Sequence, residues 1–445
     1  MSPDSSIRRR FAALAPYLAT SLDSVSRGWA TVVGGSVARL ALGFVASVLI
    51  ARALGPADFG TFAVLAAVAN VVGALADLGL TDAAVKRIAS AWAGERARAI
   101  DRGRAFFWLR AGSAALVVVA GHLVVSALPT VAVGSSTMRS LLVLALLGVF
   151  ATALSGAVSA LLQATQRFGR LSLVGLANAG LTALLAIALD LTGQLTLISA
   201  LVVLGIGTSL VSFAVGVRLL PDGWRLAFPP RATLWAEGRP MLDFGRWLWV
   251  ANVCAMLAAQ LDVLLVDRWT DAAIVGAYAL ALNLAMKVDV VNSSLYTVLL
   301  PAVSSLDGEH AIRRYVRQAL LRSALIALAL LPLLLLIGPF ITFFYGRSYA
   351  PAIGIFRLLL AVVVFDVFAT PLLLLIYHYD RPRLLAASDA LRAGTLGVAG
   401  VALVPSFGTS GAVVAKLVAK AVGAALTLWS LRRSSAAPAR KISPS

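Results

Sequence analysis

The sequence is poor in charge, nearly free of cysteine and short of acidic residues. Charged residues make up 13% of the 445 positions, too few to cover a soluble protein of this length. The 20 acidic side chains stand against 38 lysines and arginines. One cysteine, Cys254, lies inside an apolar run, which excludes an intrachain disulfide. Three histidines, His122, His310 and His378, are too far apart to form a metal-ligand spacing. Apolar residues are abundant, at 60% of the chain with a mean hydropathy of +0.91. Long apolar stretches recur from end to end, which describes one integral membrane domain and not several soluble ones. The first run begins near Trp29 without a small-residue cleavage site, so it is expected to be retained as a helix.

Windows of ~20 apolar residues give about twelve spans. In the first half they fall at roughly 28–51, 58–80, 105–128, 139–163, 170–191 and 195–219. In the second half they fall at roughly 244–267, 272–300, 316–339, 352–377, 382–404 and 408–431. Residues 28–220 and 244–431 are expected to form two six-helix bundles joined by a linker at 221–243. Residues 1–27 and 432–445 are expected to be basic, disordered cytoplasmic tails. Residues 82–104 have the pattern of an amphipathic surface helix, and the linker has either that character or that of a solvated connection.

Basic residues alternate with the spans. Arg8 to Arg10, the stretch from Lys86 to Arg104, Arg167 with Arg170, and Arg225 with Arg231 and Arg239 all fall on one side. Arg313 with Arg314, Arg381 with Arg383, and Arg432 with Arg433 continue the series. The other side carries isolated cations such as Arg52, Arg139, Arg268 and Arg347. The positive-inside rule places the basic side and both termini in the cytoplasm. The net charge of +18 therefore faces anionic inner-leaflet lipids, and no soluble basic module with interleaved aromatics points to nucleic acid.

A shift of 216 residues aligns ARALGPADFGTFAV from Ala51 with DRWTDAAIVGAYAL from Asp267 without a gap. Arg52 meets Arg268, Gly60 meets Gly276, Phe62 meets Tyr278 and Ala63 meets Ala279. Both copies join the first span of a half to its second, as a duplicated six-helix bundle of parallel topology would.

The stretch LIARALGPADFGTFAVLAAVANVVGALADLGLTDAAVKRIA, from Leu49, resembles the opening of the Wzx-like polysaccharide flippases. These belong to the multidrug/oligosaccharidyl-lipid/polysaccharide (MOP) exporter superfamily. LLQATQRF from Leu161 is similar to the family's fourth-helix exit, and QLDVLLVDRW from Gln260 to its seventh-to-eighth helix junction. The resemblance implies an all-α, MATE-like fold of two pseudo-symmetric lobes around a central cavity. It also implies flipping of an undecaprenyl-pyrophosphate-linked oligosaccharide, and no cofactor. A polysaccharide polymerase and other assembly proteins would be partners.

Charges at bilayer depth cost ~2.5–3.5 kcal/mol each on insertion scales, so they are functional candidates. Arg39, Lys287, Lys416 and Lys420 are the cations expected there, and Asp262, Asp289 and Asp366 the acids. Lys416 and Lys420 are spaced i, i+4 and share a helix face, where two ammonium groups repel unless an anion sits between them. A pyrophosphate is such an anion, and Arg39 and Lys287 could complete its cage. The competing reading pairs these cations with the acids as structural locks, with Lys287 or Arg39 matched to Asp366. Lys287 and Asp289 point to different faces, whereas Asp289, Asn292 and Ser293 share one and could form a sodium or proton site. Asn70, Asn178 and Asn292 are expected to line the cavity or join helices by hydrogen bonds. Asp77 has the position of a backbone cap, and Trp247 and Trp249 that of an interfacial belt. An ion-coupled exporter of small molecules would share this architecture. A membrane glycosyltransferase or polymerase is disfavoured, because no carboxylate pair or metal cluster sits on a loop.

Overall fold

The computed structural model describes residues 4–128, 135–221, 224–292, 308–375 and 382–435, together with 295, 296, 299 and 303. Among them the chain is helical throughout, with no strand. In chain order the helices are α1 (Asp4–Asp77), α2 (Leu80–Trp92), α3 (Arg96–Ala127), α4 (Ser136–Ala164), α5 (Phe168–Leu191) and α6 (Leu197–Arg218). They continue as α7 (Arg231–Trp269), α8 (Ala272–Val288), α9 (Gly308–Leu330), α10 (Leu333–Phe344), α11 (Pro351–Leu373) and α12 (Pro382–Ser435).

Nine described helices are long and apolar enough to cross a membrane, or ten when α9 and α10 count as one span bent by 41°. The apolar part of α1, Val37–Asp77, has 41 residues and would measure about 60 Å, twice the hydrocarbon thickness. It is interrupted at Gly55, whose φ of 69° only glycine adopts without strain, and Pro56 opens the next segment. The 44 residues of Ala387–Ser430 in α12 are interrupted likewise at Gly408. Counting each of these two broken helices twice, and α9 with α10 once, would bring the described helices to the twelve crossings expected.

Several boundaries differ from those expected. α1 begins at Asp4, so residues 4–27 are helical and not a disordered tail. Residues 436–445 lie outside the described residues. The surface helix expected over 82–104 is two helices, α2 and the first turns of α3, separated at Ala93–Glu95. Half of the expected linker is helical too, because α7 starts at Arg231 behind Pro230. Glu237 on that early part bonds Arg102 at 2.8 Å and Arg98 at 3.3 Å, which holds it against α3. Trp224 is buried, with its indole lying over Gly103 where a side chain would collide with it.

Two cores hold the bundle. One, around Ala51, Phe59, Tyr278, Tyr349 and Phe356, joins α1, α8 and α11. The other, around Leu80, Ile88, Phe106, Leu161 and Met241, joins α2, α3, α4 and the start of α7. Each lies beside an unusually close helix crossing. At the first, a methyl group on Gly60 would fall 2.0 Å from the carbonyl oxygen of Ala272, and one on Gly276 would fall 1.9 Å from that of Pro56. Pro56 and Ala272 are themselves 216 residues apart, so the contact is reciprocal, as a pseudo-two-fold axis between the sequence repeats requires. Tyr349 fastens the same end by donating its hydroxyl to the carbonyl of Ala51 at 2.7 Å. At the second crossing, Gly79 and Gly245 approach as closely, with methyl-to-carbonyl distances of 2.1 and 2.6 Å. Small residues permit such approaches in membranes, where van der Waals packing drives helix association.

Substituting Gly60→Ala or Gly276→Ala is expected to cost at least ~1–3 kcal/mol, because backbone must move and no rotamer can relieve the clash. One separation of the two helices relieves both clashes, so the double variant should cost clearly less than the sum. Gly156→Ala, which adds a methyl in open space, should be neutral. Thermal unfolding in detergent checks the series, and additive costs would rule out a shared crossing.

Candidate functional site

Three hollows with polar lining are present, the first two of them adjoining. The first, of about 290 Å³, is walled by α7, α8, α11 and α12 and contains Asp289, Asp366, Asp389, Arg392, Lys416 and Lys420. The second, of about 470 Å³, holds Asp77, Thr81, Asp82, Arg110 and Asn252, and shares Ala255 and Ala259 of α7 with the first. The third, of about 450 Å³, lies between α1 and α5 and is lined by Arg39, Asn178 and Thr182, with Asn283 of α8 on its far side.

The expected cations separate into two classes. Lys416 pairs with Asp262 at 2.5 Å, and Lys420 pairs with Asp366. Asp262 is fully buried and saturated, because it also accepts the Tyr278 hydroxyl at 2.7 Å and the amide of Val263 at 3.0 Å. Arg392 in the same hollow pairs with Asp389 at 3.2 Å. The two lysines share a face, as their spacing requires, but each carries its own carboxylate. This hollow is consequently not a net cationic cage. The expected match of Asp366 with Lys287 or Arg39 gives way to Lys420, which the packing of α12 on α11 brings within bonding distance.

Arg39 and Lys287 have no carboxylate partner among the described residues. Arg39 lies against Gly175 of α5, where a side chain would come within 3.1 Å of its guanidinium. The Lys287 ammonium donates to Asn283 Oδ1 at 2.6 Å. The placement of Lys287 follows from the glycine crossing. Asn283 and Lys287 lie seven and eleven residues beyond Gly276, so all three share one face of α8. That face is turned toward α1 by the crossing itself.

Asp289 pairs with neither Lys287 nor any other described cation. It accepts from Asn292 Nδ2 at 2.5 Å, and buried Asn292 also reaches the carbonyl of Val363 at 3.5 Å. Ser293 lies outside the described residues. Asn178 accepts from Ser212 at 2.9 Å and faces the third hollow, so it both joins helices and lines a cavity. Asn70 is exposed and forms no side-chain hydrogen bond among the described residues.

Several polar partnerships were not foreseen. Asp77 does not cap a helix but bonds Arg110 at 3.3 Å and the Thr81 hydroxyl at 2.5 Å. Asn252 of α7 donates to Asp82 of α2 at 3.1 Å, and the Trp249 indole donates to the carbonyl of Leu75 at 3.1 Å. These two bonds cross between the repeats beside the Gly79–Gly245 contact. Trp249 therefore fastens helices, while Trp247 alone is exposed as a belt residue would be. Arg110 lies five residues inside the span expected from Ala105, a depth that could have flagged it.

The family model described as "Polysaccharide biosynthesis protein" matches residues 49–354. The chain belongs to that family. No curated protein matches. Among solved structures, an inward-facing multidrug resistance MATE family transporter of the MOP superfamily superposes with a TM-score of 0.69 at 15% identity, covering 90% of this chain and 98% of that one. The lipid II flippase MurJ superposes with a TM-score of 0.67 at 12% identity, covering 90% and 87%. A MOP superfamily transporter from Pyrococcus furiosus gives 0.61 at 14% identity, covering 91% and 94%. The family member is thus a multi-pass membrane protein with the fold of the MOP transporters.

Removing one partner of the buried pair should leave the other charge stranded, so Lys416→Met and Asp262→Asn should each lose ~3–5 kcal/mol of stability. The double variant should recover most of that loss. Thermal unfolding in detergent measures it, and a Lys416→Met protein melting with the wild type would show that the pair is not structural.

Proposed function

We propose that the protein is a flippase. It carries an undecaprenyl-pyrophosphate-linked oligosaccharide from the inner to the outer leaflet of a bacterial cytoplasmic membrane, for polysaccharide biosynthesis. The observation that carries this reading is the pair of membrane-depth cations, Arg39 and Lys287, that no described carboxylate neutralises. Arg39 lines a polar hollow that Asn283 also lines, and Lys287, which lines the neighbouring apolar groove, donates to Asn283 from the opposite repeat to Arg39. A cation held at such depth calls for an anion, and a pyrophosphate supplies one. The family's description, polysaccharide biosynthesis, favours a saccharide lipid over a free drug.

Transport would proceed by alternating access between lobes at residues 28–220 and 244–431, with both termini cytoplasmic. The Gly60–Gly276 crossing would close the outer mouth. Gly79–Gly245 with its Asn252–Asp82 and Trp249–Leu75 bonds would close the inner one. Each set must part in turn, and backbone contacts with a few hydrogen bonds can part without stranding a buried charge. Transport and not catalysis is the activity proposed, with polymerase and assembly proteins as partners that receive the flipped lipid.

A second reading, an ion-coupled exporter of small molecules, is favoured by Asp289, a carboxylate facing the first hollow that pairs with no described cation. The same carboxylate would serve sodium or proton coupling of the flippase.

In liposomes carrying a fluorescent lipid-linked oligosaccharide, quencher accessibility reports flipping. Arg39→Ala and Lys287→Ala should each slow it about tenfold or more, the scale of a lost charge-assisted hydrogen bond, while the proteins remain folded. Unchanged rates in both, or uptake of small cations without flipping, would sink the proposal and leave the exporter.

A further inference from the structure

Next to the Gly79–Gly245 crossing, a pocket of about 310 Å³ is lined by Lys86, Arg87 and Ser90 of α2, Arg102 of α3 and Phe244 of α7. α2 has 13 residues, too few for the ~20 that span a bilayer, and buries Leu80, Ala84, Ile88 and Ala91 along one face. It has the pattern of a helix lying at the membrane surface. Three cations meet in the pocket it borders. The Arg102 guanidinium is fixed by two bonds, donating from Nε to Glu237 at 2.8 Å and from Nη1 to the carbonyl of Arg87 at 2.9 Å. Glu237 neutralises Arg102 but does not line the pocket.

Lys86 and Arg87 pair with no carboxylate among the described residues. Asp82, one turn before Lys86, accepts instead from Asn252 at 3.1 Å. Asp243, beside Phe244, is exposed and forms no ion pair among the described residues. The Lys86 ammonium lies over the Phe244 ring, 4.5 Å from its centroid, and a ring attracts an ammonium without cancelling its charge. Two uncompensated cations beside a fixed guanidinium form a receptor for a phosphate. The pocket is on the side that the positive-inside rule assigns to the cytoplasm, where anionic lipids gather. Phe244 and Trp247, three residues apart on α7, are 42% and 73% exposed. Exposed aromatic rings of this kind belong at the level where headgroups meet acyl chains. A lipid satisfies both the cations and the rings, whereas a free phosphate has nothing to offer the rings.

We propose that this pocket binds the phosphate headgroup of an anionic lipid of the cytoplasmic leaflet, and that the bound lipid holds the inner mouth closed. The second part follows from which elements build the pocket. Lys86, Arg87 and Arg102 stand on the first repeat, while Phe244 immediately precedes Gly245, the second repeat's residue at the crossing. Parting Gly79 from Gly245 carries Phe244 off Lys86 and removes one wall. The headgroup therefore binds the closed form more tightly, and a ligand shifts an equilibrium toward the form it prefers. The effect on the mouth rests on the alternating-access reading, whereas the binding does not.

The test uses the full-length protein in nanodiscs of phosphatidylcholine, with or without phosphatidylglycerol. Native mass spectrometry counts the lipids retained. Spin labels at Ala97→Cys on α3 and Gln318→Cys on α9, in a Cys254→Ser background, report the width of the inner mouth. Phosphatidylglycerol should be retained in preference to phosphatidylcholine and should shift the labels toward the shorter distance. Lys86→Gln with Arg87→Gln should lower its retention about tenfold and abolish the shift. Lys86→Arg with Arg87→Lys, which keeps both charges, should preserve the two effects. Arg231→Gln with Arg239→Gln, exposed cations outside the pocket, should change neither. Retention indifferent to the loss of Lys86 and Arg87, or one label distance in both lipids, would overturn the proposal. Displacement by inorganic phosphate would mark a free-anion site, and displacement by undecaprenyl pyrophosphate a loading site for the carried lipid, and either would overturn it too. A phosphatidylglycerol-dependent shift in a protein that flips no saccharide lipid would uphold this site while the flippase reading fell.

Discussion

Two helix backbones cross at Gly60 and Gly276 at a separation that no side chain permits, and much of the site follows from that contact. It sets the rotation of α8, because a residue pressed against a neighbouring carbonyl fixes which face of its helix is turned inward. Asn283 then lines the hollow that Arg39 lines, with Lys287 bonded to it one turn on, because both lie on the glycine's face. The crossing also fixes depth, since the second segment of α1, from Pro56, and α8, from Ala272, both begin within four residues of it. Its reciprocity, with each glycine against the residue that begins the other's helix, lets one geometry serve both repeats.

The hydrocarbon then sorts the charges. A lone ion in a low-dielectric medium is costly, so most buried ions find a partner or a function. Asp262 takes the first course with Lys416, Tyr278 and a backbone amide, and Asp366 takes it with Lys420. Both pairs join α12 to helices of the same repeat, so they stiffen that repeat and do not need to break when the repeats move. Arg39 and Lys287 stand on different repeats and face the space between them. A ligand that bridges them would feel the relative motion of the two halves directly, which is the mechanical requirement for coupling binding to a change of access.

The contacts between repeats are of another kind. Glycine crossings, an amide on a carboxylate and an indole on a carbonyl are individually weak and carry no buried salt bridge. The buried lysine–aspartate pairs lie within the second repeat, while the halves meet through glycine crossings, the apolar core around Phe59 and Tyr278, single hydrogen bonds and the Glu237 pairs with α3. That division suits a protein whose halves must stay rigid while their contacts alternate.

Apolar runs, basic loops and the 216-residue repeat were legible in the sequence, because hydrocarbon thickness and the repeat of a motif are properties of neighbours along the chain. So was the set of charges at depth, including the shared face of Lys416 and Lys420. The partner of each was not. Lys416 and Asp262 are 154 residues apart, and Lys420 and Asp366 are 54 apart. Their meeting depends on how far and at what rotation separate helices pack, which no periodicity encodes. The same holds for Arg110 on Asp77, for the bend between α9 and α10, and for Gly60 against Gly276. The sequence by itself determined which residues enter the membrane. Only the tertiary structure decided which of them neutralise one another and which are left facing the cavity, because a charge pair is decided by distance in space.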